Sequence, residues 1–226
     1  MTETRFRLHD VSVSYNGHAA VAGADLIIVP GEAVGVVGPS GAGKTTLLRL
    51  LNRSVRPTRG RVAVDDTYLD ELSAGGLRKI RSLIGFVHQD LRLVPNLRVV
   101  QNVVSGLVGR HGLWGAVRSV YFPPRADVAR AHKILERVGI PEKLFERTDS
   151  LSGGQQQRVA IARALFQDPE ALLADEPVSS VDPARARDTV ALLTRISRES
   201  DITLCVSLHN LQLAREFFPR LIGMRA

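Results

Sequence analysis

The segment Gly38-Pro39-Ser40-Gly41-Ala42-Gly43-Lys44-Thr45 decides the fold, because it matches the pattern G-x-x-x-x-G-K-[ST] at every specified position. It follows the apolar run Ala33-Val34-Gly35-Val36-Val37 and precedes a helical pattern over residues 45–52. A glycine-rich turn between a buried strand and a helix is the setting of a phosphate-binding loop, and this order begins a parallel α/β core. We therefore expect such a core, with the loop at the end of one of its strands.

The residues of this loop have separate expected roles. Gly41 and Gly43 allow backbone N–H groups to turn toward phosphates. Lys44 reaches the β- and γ-phosphates, and Thr45 offers a hydroxyl to Mg²⁺. ATP and Mg²⁺ are the predicted ligands. Thr46 continues the helix N-terminus, whose partial positive charge favours an anion. The predicted ATP site on this segment comprises Gly38, Pro39, Ser40, Gly41, Ala42, Gly43, Lys44, Thr45 and Thr46.

Two acids follow a second apolar strand. Leu172-Leu173-Ala174 leads into Asp175 and Glu176, at the carboxyl end where parallel sheets bind ligands. An acidic pair alone is most often a solvated loop, but together with the phosphate-binding loop it predicts a hydrolytic site. Asp175 is expected to hold Mg²⁺, and Glu176 to polarise the attacking water as general base.

The remaining sequence predicts one domain, residues 1–226, with an insertion. Residues 5–15 and 24–29 have the pattern of antiparallel strands with turns at Asn16-Gly17 and Pro30-Gly31. Residues 84–87, 171–174 and 202–207 are predicted core strands, and a helical pattern covers residues 184–198. We expect an α/β core with an antiparallel β edge at about 1–92 and 168–226, and a helical subdomain at about 93–167.

Composition argues against several classes of protein. Hydrophobic residues make up 44% and charged residues 23%, far from the balance of a disordered chain. The net charge of +7 comes from basic residues scattered singly, which is more typical of a solvated exterior than of a nucleic-acid surface, so no nucleic acid partner is expected. No apolar stretch approaches the ~20 residues of a membrane span, no secretory signal is apparent, and the single cysteine, Cys205, is expected to be buried and not catalytic.

One continuous segment comprises Leu151-Ser152-Gly153-Gly154-Gln155, followed by Gln156-Gln157-Arg158-Val159-Ala160-Ile161-Ala162-Arg163-Ala164-Leu165. In this segment the chain resembles the family of ATP-binding-cassette (ABC) ATPases. The resemblance implies a P-loop NTPase core of the ABC type. It also implies that the helix N-terminus at Ser152, Gly153, Gly154 and Gln155 contacts the γ-phosphate of ATP held by a second copy of the chain, in a head-to-tail dimer. Val159, Ile161 and Leu165 are expected to pack in the core.

Other residues gain roles only through this resemblance. Gln89 matches the glutamine that contacts Mg²⁺ and the attacking water, and His209 matches the histidine that contacts the γ-phosphate. Tyr15 matches the aromatic residue that stacks on adenine. The catalytic set implied is Glu176, His209, Gln89 and Lys44, and the Mg²⁺ ligands are Thr45, Gln89 and Asp175. Ser179-Ser180-Val181-Asp182 matches the loop that crosses between subunits, with Val181 where leucine is commoner.

A closer resemblance is to the ATPase subunits of phosphonate importers. It rests on Gln89-Asp90-Leu91-Arg92-Leu93-Val94, on residues 114–124, on Val138-Gly139-Ile140, on Gln155-Gln156-Gln157 and on Val206-Ser207-Leu208-His209. It implies a peripheral subunit at the cytoplasmic face of the inner membrane, hydrolysing ATP as a homodimer. Its partners would be transmembrane permease subunits and, indirectly, a solute-binding protein, and its cargo phosphonate or a similar phosphorus oxyanion.

Two alternatives belong to other functional classes. The first is an ABC ATPase that acts on DNA, ribosomes or cell-division machinery, although such proteins usually fuse two cassettes or carry long coiled-coil insertions, neither of which is present. The second is a nucleotide-dependent binding module with little turnover, against which Glu176 and His209 argue.

Overall fold

The computed structural model describes residues 4–110, 113–178 and 182–225 of the chain, as a mixed α/β structure with two sheets. The strands are β1 (Phe6–Tyr15), β2 (His18–Ile28), β3 (Ala33–Val37), β4 (Arg59–Val64), β5 (Thr67–Tyr68), β6 (Ile84–Val87), β7 (Ala171–Ala174), β8 (Thr203–Leu208) and β9 (Arg220–Gly223). The α-helices are α1 (Lys44–Leu51), α2 (Ala74–Ser82), α3 (Val99–Val104), α4 (Leu113–Tyr121), α5 (Arg125–Val138), α6 (Gly153–Leu165), α7 (Pro183–Ser200) and α8 (Leu211–Phe217). Short 3₁₀ helices occupy Ser105–Arg110, Pro141–Lys143 and Thr148–Ser150.

The antiparallel sheet has the order β2-β1-β4-β5, which confirms the predicted edge sheet. The prediction that its second strand begins at residue 24 was wrong, because β2 begins at His18. Asn16 and Gly17 both have positive φ, 50° and 83°, and such a two-residue turn matches the twist of a hairpin. Tyr15 and His18 therefore pair directly across the turn, although residues 18–23 have little strand character in the sequence.

The parallel sheet has the order β6-β7-β8-β3-β9 and contains all the predicted core strands. Its side chains alternate between two apolar clusters, as the period of a strand requires. Leu204 and Val206 of β8 lie in the cluster with α3, α5, α6 and α7, whereas Cys205 between them lies in the cluster with α1 and the antiparallel sheet. Three short elements, α2, α8 and β9, were not predicted from the sequence; they are nine, seven and four residues long.

The helices α3, α4, α5 and α6 follow one another between β6 and β7, within the stretch predicted to be helical. Their apolar side chains, among them Leu135, Val138 and Ile161, belong to the same cluster as one face of the parallel sheet. The predicted division of the chain near residues 92 and 168 stays a prediction.

Two further expectations concern burial and length. Cys205 is completely buried, as predicted, and this burial raises the pKa of its thiol to about 12. Within the parts of the chain that the structure describes, no helix combines the length and the apolar character that crossing a bilayer requires.

Candidate active site

The glycine-rich loop joins β3 to α1 and packs tightly against the rest of the fold. Gly43 precedes α1 with a φ of 86°, and a Cβ there would overlap the carbonyl oxygen of Ala20 in β2. A Cβ at Gly38 would lie 2.5 Å from the carbonyl oxygen of Met224, just after β9. Only glycine fits both positions, so the sequence pattern follows from the close approach of the backbone.

Lys44, the first residue of α1, is only 3% exposed. Its Nζ donates hydrogen bonds to the carbonyl oxygens of Gly38 and Pro39, at 2.9 and 3.0 Å. The same Nζ lies 3.3 Å from Oε1 of Glu176. The ammonium group therefore points back across its own loop, into the space where a phosphate-binding loop places phosphate oxygens.

Thr45 and Asp175 form the oxygen-rich part of the site. Oγ1 of Thr45 donates to Oδ1 of Asp175 at 2.9 Å, and Asp175 is 2% exposed. Gln89 is exposed and lies two residues beyond β6, next to the end of β7 from which Asp175 follows. Carboxylate, hydroxyl and amide oxygens at one sheet edge suit Mg²⁺, so these residues fit the predicted ion.

Ser207 completes this part of the site, and its role was not predicted from the sequence. Its Oγ donates to Oδ1 of Asp175 at 3.0 Å and accepts from the backbone N–H of Glu176 at 2.8 Å. The available signal was a hydroxyl in the apolar strand β8, where a buried polar group requires partners. Ser207 thus fixes the side chain of one acid and the backbone of the next.

Glu176 and His209 meet above Lys44. Glu176 has a φ of 45°, an unusual value for a residue other than glycine, and its side chain is 12% exposed. Nε2 of His209 lies 2.6 Å from Oε1 of Glu176, and Nδ1 lies 3.2 Å from Nζ of Lys44. A neutral imidazole with its proton on Nε2 satisfies both contacts, because it donates to the carboxylate and accepts from the ammonium group.

The structure therefore brings Lys44, Thr45, Asp175, Glu176 and His209 into one network of contacts. Around it, Pro39, Ser40 and Gly41 are exposed at the tip of the loop, Ala42 is buried, and Thr46 is partly buried in the first turn of α1. Tyr15 lies at the hairpin end of β1, with 49% of its surface exposed.

Ser152, Gly153, Gly154 and Gln155 form a separate feature at the start of α6. Ser152 Oγ accepts from the backbone N–H of Gln155 at 3.4 Å, and Gln155 Oε1 accepts from the backbone N–H of Ser152 at 3.0 Å. These reciprocal bonds form a capping box. Ser152 and Gly153 are exposed, and a Cβ at Gly153 or Gly154 would meet no atom within 4 Å. The result is an ordered, open helix N-terminus. Of the loop predicted to cross between subunits, residues 179–181 lie outside the described residues, and Asp182 caps α7.

His88, next to Gln89, has an environment that disfavours its charged form. Burial lowers the pKa of His88 to about 4, and the nearby positive charges of Arg92 and Arg163 act in the same direction. Its ring also lies 4.4 Å from that of Phe86, between centroids. Protonation of His88 therefore opposes the folded arrangement of the loop that follows β6.

Comparisons with known proteins show which proteins this chain is similar to. The family model described as ABC transporter matches residues 21–179. "Phosphonates import ATP-binding protein PhnC 1" of Rhodopseudomonas palustris strain HaA2 is 44% identical over 221 residues, which are 97% of this chain and 78% of that protein. The dimeric structure of MJ0796, a bacterial ABC transporter cassette, is 32% identical with a TM-score of 0.83, over 97% of this chain and 94% of that one. MJ0796 in a dimeric post-hydrolysis state bound to ADP and Pi, also 32% identical, has a TM-score of 0.80 over the same shares.

The low pKa of His88 predicts a pH dependence of stability. Because the folded value of about 4 lies below the ordinary value of 6.5, the unfolded chain binds more protons between these limits, and the contribution of His88 to stability is lost as the pH falls from 6.5 to 4. His88→Gln should flatten the dependence of the free energy of unfolding on pH in this window, measured by urea denaturation. His132→Gln, at a side chain that is 46% exposed, is the control and should change the slope less than His88→Gln does. If the free energy of unfolding has the same slope against pH in wild type and in His88→Gln, the lowered pKa of His88 is contradicted.

Proposed function

Because the chain belongs to the ABC transporter family of ATP-binding proteins, we propose that it is the ATP-hydrolysing subunit of an importer for phosphonate or a similar phosphorus oxyanion. The observation that supports hydrolysis best is the network in which Lys44 and His209 both contact one oxygen of Glu176. It unites a phosphate-binding lysine, a carboxylate base and a polar group that orients the base.

The residues of the network and those around it have complementary roles toward ATP. Lys44 and the N–H groups of the loop bind the β- and γ-phosphates, and Tyr15 stacks on the adenine ring. Lys44 and His209 both contact Oε1 of Glu176, so we assign the other oxygen, Oε2, to accept the proton of the attacking water. Mg²⁺ would be held by Thr45, Asp175 and Gln89, and it supplies positive charge to the phosphate oxygens when bound.

The complete site requires a second copy of the chain. Ser152, Gly153, Gly154 and Gln155 offer a helix N-terminus to solvent, and the two glycines leave open space above it. Backbone N–H groups and the helix dipole favour an anion at this position. We assign it to the γ-phosphate of ATP bound by the partner copy, in the head-to-tail dimer, and the dimeric form of MJ0796 supports this arrangement.

The proposed importer places the chain at the cytoplasmic face of the inner membrane. Permease subunits would contact the helical part, α3 to α6, and a solute-binding protein would deliver the cargo to the permease. Phosphonate as cargo is supported by the names of relatives that are 44% and 45% identical over nearly the whole chain. ATP binding closes the dimer, and hydrolysis with product release reopens it.

Replacement of the general base should separate binding from hydrolysis. We expect Glu176→Gln to lower ATP turnover by ~10²-fold or more, because general-base assistance contributes about this factor. ATP binding should remain, and a dimer with bound ATP should accumulate in size-exclusion chromatography. Glu170→Gln is the control, since its carboxylate is 49% exposed and outside the network. Wild-type turnover in Glu176→Gln would exclude this residue as the base.

A mixed dimer tests whether two chains share each site. When Ser152→Arg is in one chain and Lys44→Ala in the other, a head-to-tail arrangement puts both lesions into one site and leaves the second intact. The mixed dimer should then hydrolyse ATP faster than either mutant homodimer, measured as phosphate release. A Glu176→Gln protein that binds ATP and Mg²⁺ but stays monomeric at high concentration, with its membrane partners present, would refute the shared site.

The cargo is tested by reconstitution. In proteoliposomes with the permease and the solute-binding protein, an alkylphosphonate should stimulate ATP turnover and enter the vesicles, whereas sulfate should do neither. Glu176→Gln in the same system should abolish uptake. If an unrelated solute stimulates ATP turnover and phosphonate, phosphite and phosphate do not, the proposed cargo is wrong, whereas the proposed ATPase activity still holds.

A further inference from the structure

The guanidinium group of Arg163 joins two parts of the proposed site that are far apart in the sequence. Arg163 lies near the end of α6, the helix that begins at Ser152. Its Nη2 donates to the carbonyl oxygen of Leu91 at 2.7 Å, and its Nη1 donates to that of Arg92 at 2.5 Å. Both acceptors belong to the loop that carries Gln89, so one side chain ties this loop to α6.

The two acceptors lie in an unusual stretch of backbone. Leu91 and Arg92 both have left-handed conformations, with φ of 54° and 48°, which residues other than glycine rarely adopt. Hydrogen bonds from the N–H of Leu91 to the carbonyl of His88, and from the N–H of Arg92 to that of Asp90, close the turn locally. Conformations of this kind persist only where the surroundings enforce them, and Arg163 binds the carbonyl oxygens of both strained residues.

The chemistry of this contact suits arginine and no other residue. A planar guanidinium presents two parallel N–H groups, whereas a lysine offers a single point of charge. Burial lowers the pKa of Arg163, and the positive charge of Arg92 adds to this effect. A partly desolvated charge of this kind needs strong acceptors, and the two carbonyl oxygens provide them.

The end of α6 itself has little room to move. A Cβ at Gly106 would overlap the carbonyl oxygen of Arg163, and a Cβ at Gly85 in β6 would lie 3.1 Å from the carbonyl oxygen of Ala164. The backbone of α6 is therefore seated directly on β6 and on the 3₁₀ helix at Ser105–Arg110. Because this end of α6 is fixed, the side chain of Arg163 that extends from it also fixes the position of the loop that carries Gln89.

We propose that Arg163 is a positioning residue for ATP hydrolysis, which fixes the loop that carries Gln89 relative to α6, the helix that presents Ser152 to the nucleotide held by the second copy of the chain. When α6 approaches that nucleotide, Gln89 approaches the nucleotide held by its own chain. The inference rests on the proposed ATPase function. It requires that Arg163 acts through Gln89 and not through the general stability of the helix.

Arg163→Gln and Arg163→Lys test the role, with Arg158→Gln as the matched control. Arg158 lies on the same helix and also donates to a backbone carbonyl, that of Val138, away from the Gln89 loop. We expect both Arg163 variants to lower kcat by about 10-fold or more, because small misplacements of catalytic groups have effects of this size. KM and the affinity for ATP should change by less than about 2-fold, the pattern of an interaction that matters after substrate binding. Arg158→Gln should keep kcat within about 2-fold of wild type, even if its melting temperature falls.

A double-mutant cycle separates positioning from stability. If Arg163 acts through Gln89, adding Arg163→Gln to Gln89→Ala should change kcat by less than about 2-fold, whereas independent effects would multiply. Arg163→Lys replaces Arg163→Gln in the cycle if the latter does not fold. Wild-type kcat in both Arg163 variants, or a multiplicative cycle, would overturn the inference while wild-type turnover still supports the ATPase. Absence of ATP turnover in the wild type would instead refute the proposed function.

Discussion

The ammonium group of Lys44 is almost completely removed from water, and a buried charge must be matched by polar partners. Its partners are two carbonyl oxygens of its own loop, the carboxylate of Glu176 and a ring nitrogen of His209. This requirement shapes the loop, orients the carboxylate and selects the tautomer of the histidine. Phosphate oxygens are stronger acceptors than carbonyl groups, so a bound nucleotide would satisfy the same charge with the surrounding residues already in place.

The order of strands brings these residues together. β7, β8 and β3 are neighbours in the parallel sheet, so the residues that follow them meet at one edge. Asp175 and Glu176 follow β7, His209 follows β8, and the glycine-rich loop follows β3. Gln89 follows β6, the next strand outward. The site is therefore a property of the sheet, although no two of these segments are adjacent in the chain.

The loop, the two acids and the core strands were predictable because each is a local pattern with one physical meaning. Apolar runs bounded by glycine or by acids give strands in parallel sheets, and the spacing of Gly38, Gly43 and Lys44 serves one purpose. Ser207 and Arg163 were not predicted in these roles, because their meaning depends on partners 32 and about 70 residues away. β9 also escaped prediction, because it is an edge strand whose residues are exposed or only partly buried, so it lacks the fully apolar run of β7, a buried strand of the same length.

The alternation of side chains in β8 has a consequence for the only thiol in the chain. Cys205 lies on a strand flanked on both sides, between β3 and β7, and its proton is held far more tightly than that of a thiol in water. Because the thiolate is the nucleophile that attacks an alkylating reagent, modification has to wait until the sheet opens and the group reaches solvent. Modification of Cys205 therefore reports local opening of the parallel sheet. The rate of this modification would measure how often the sheet that supports the phosphate-binding loop comes apart, and how far nucleotide binding suppresses those openings.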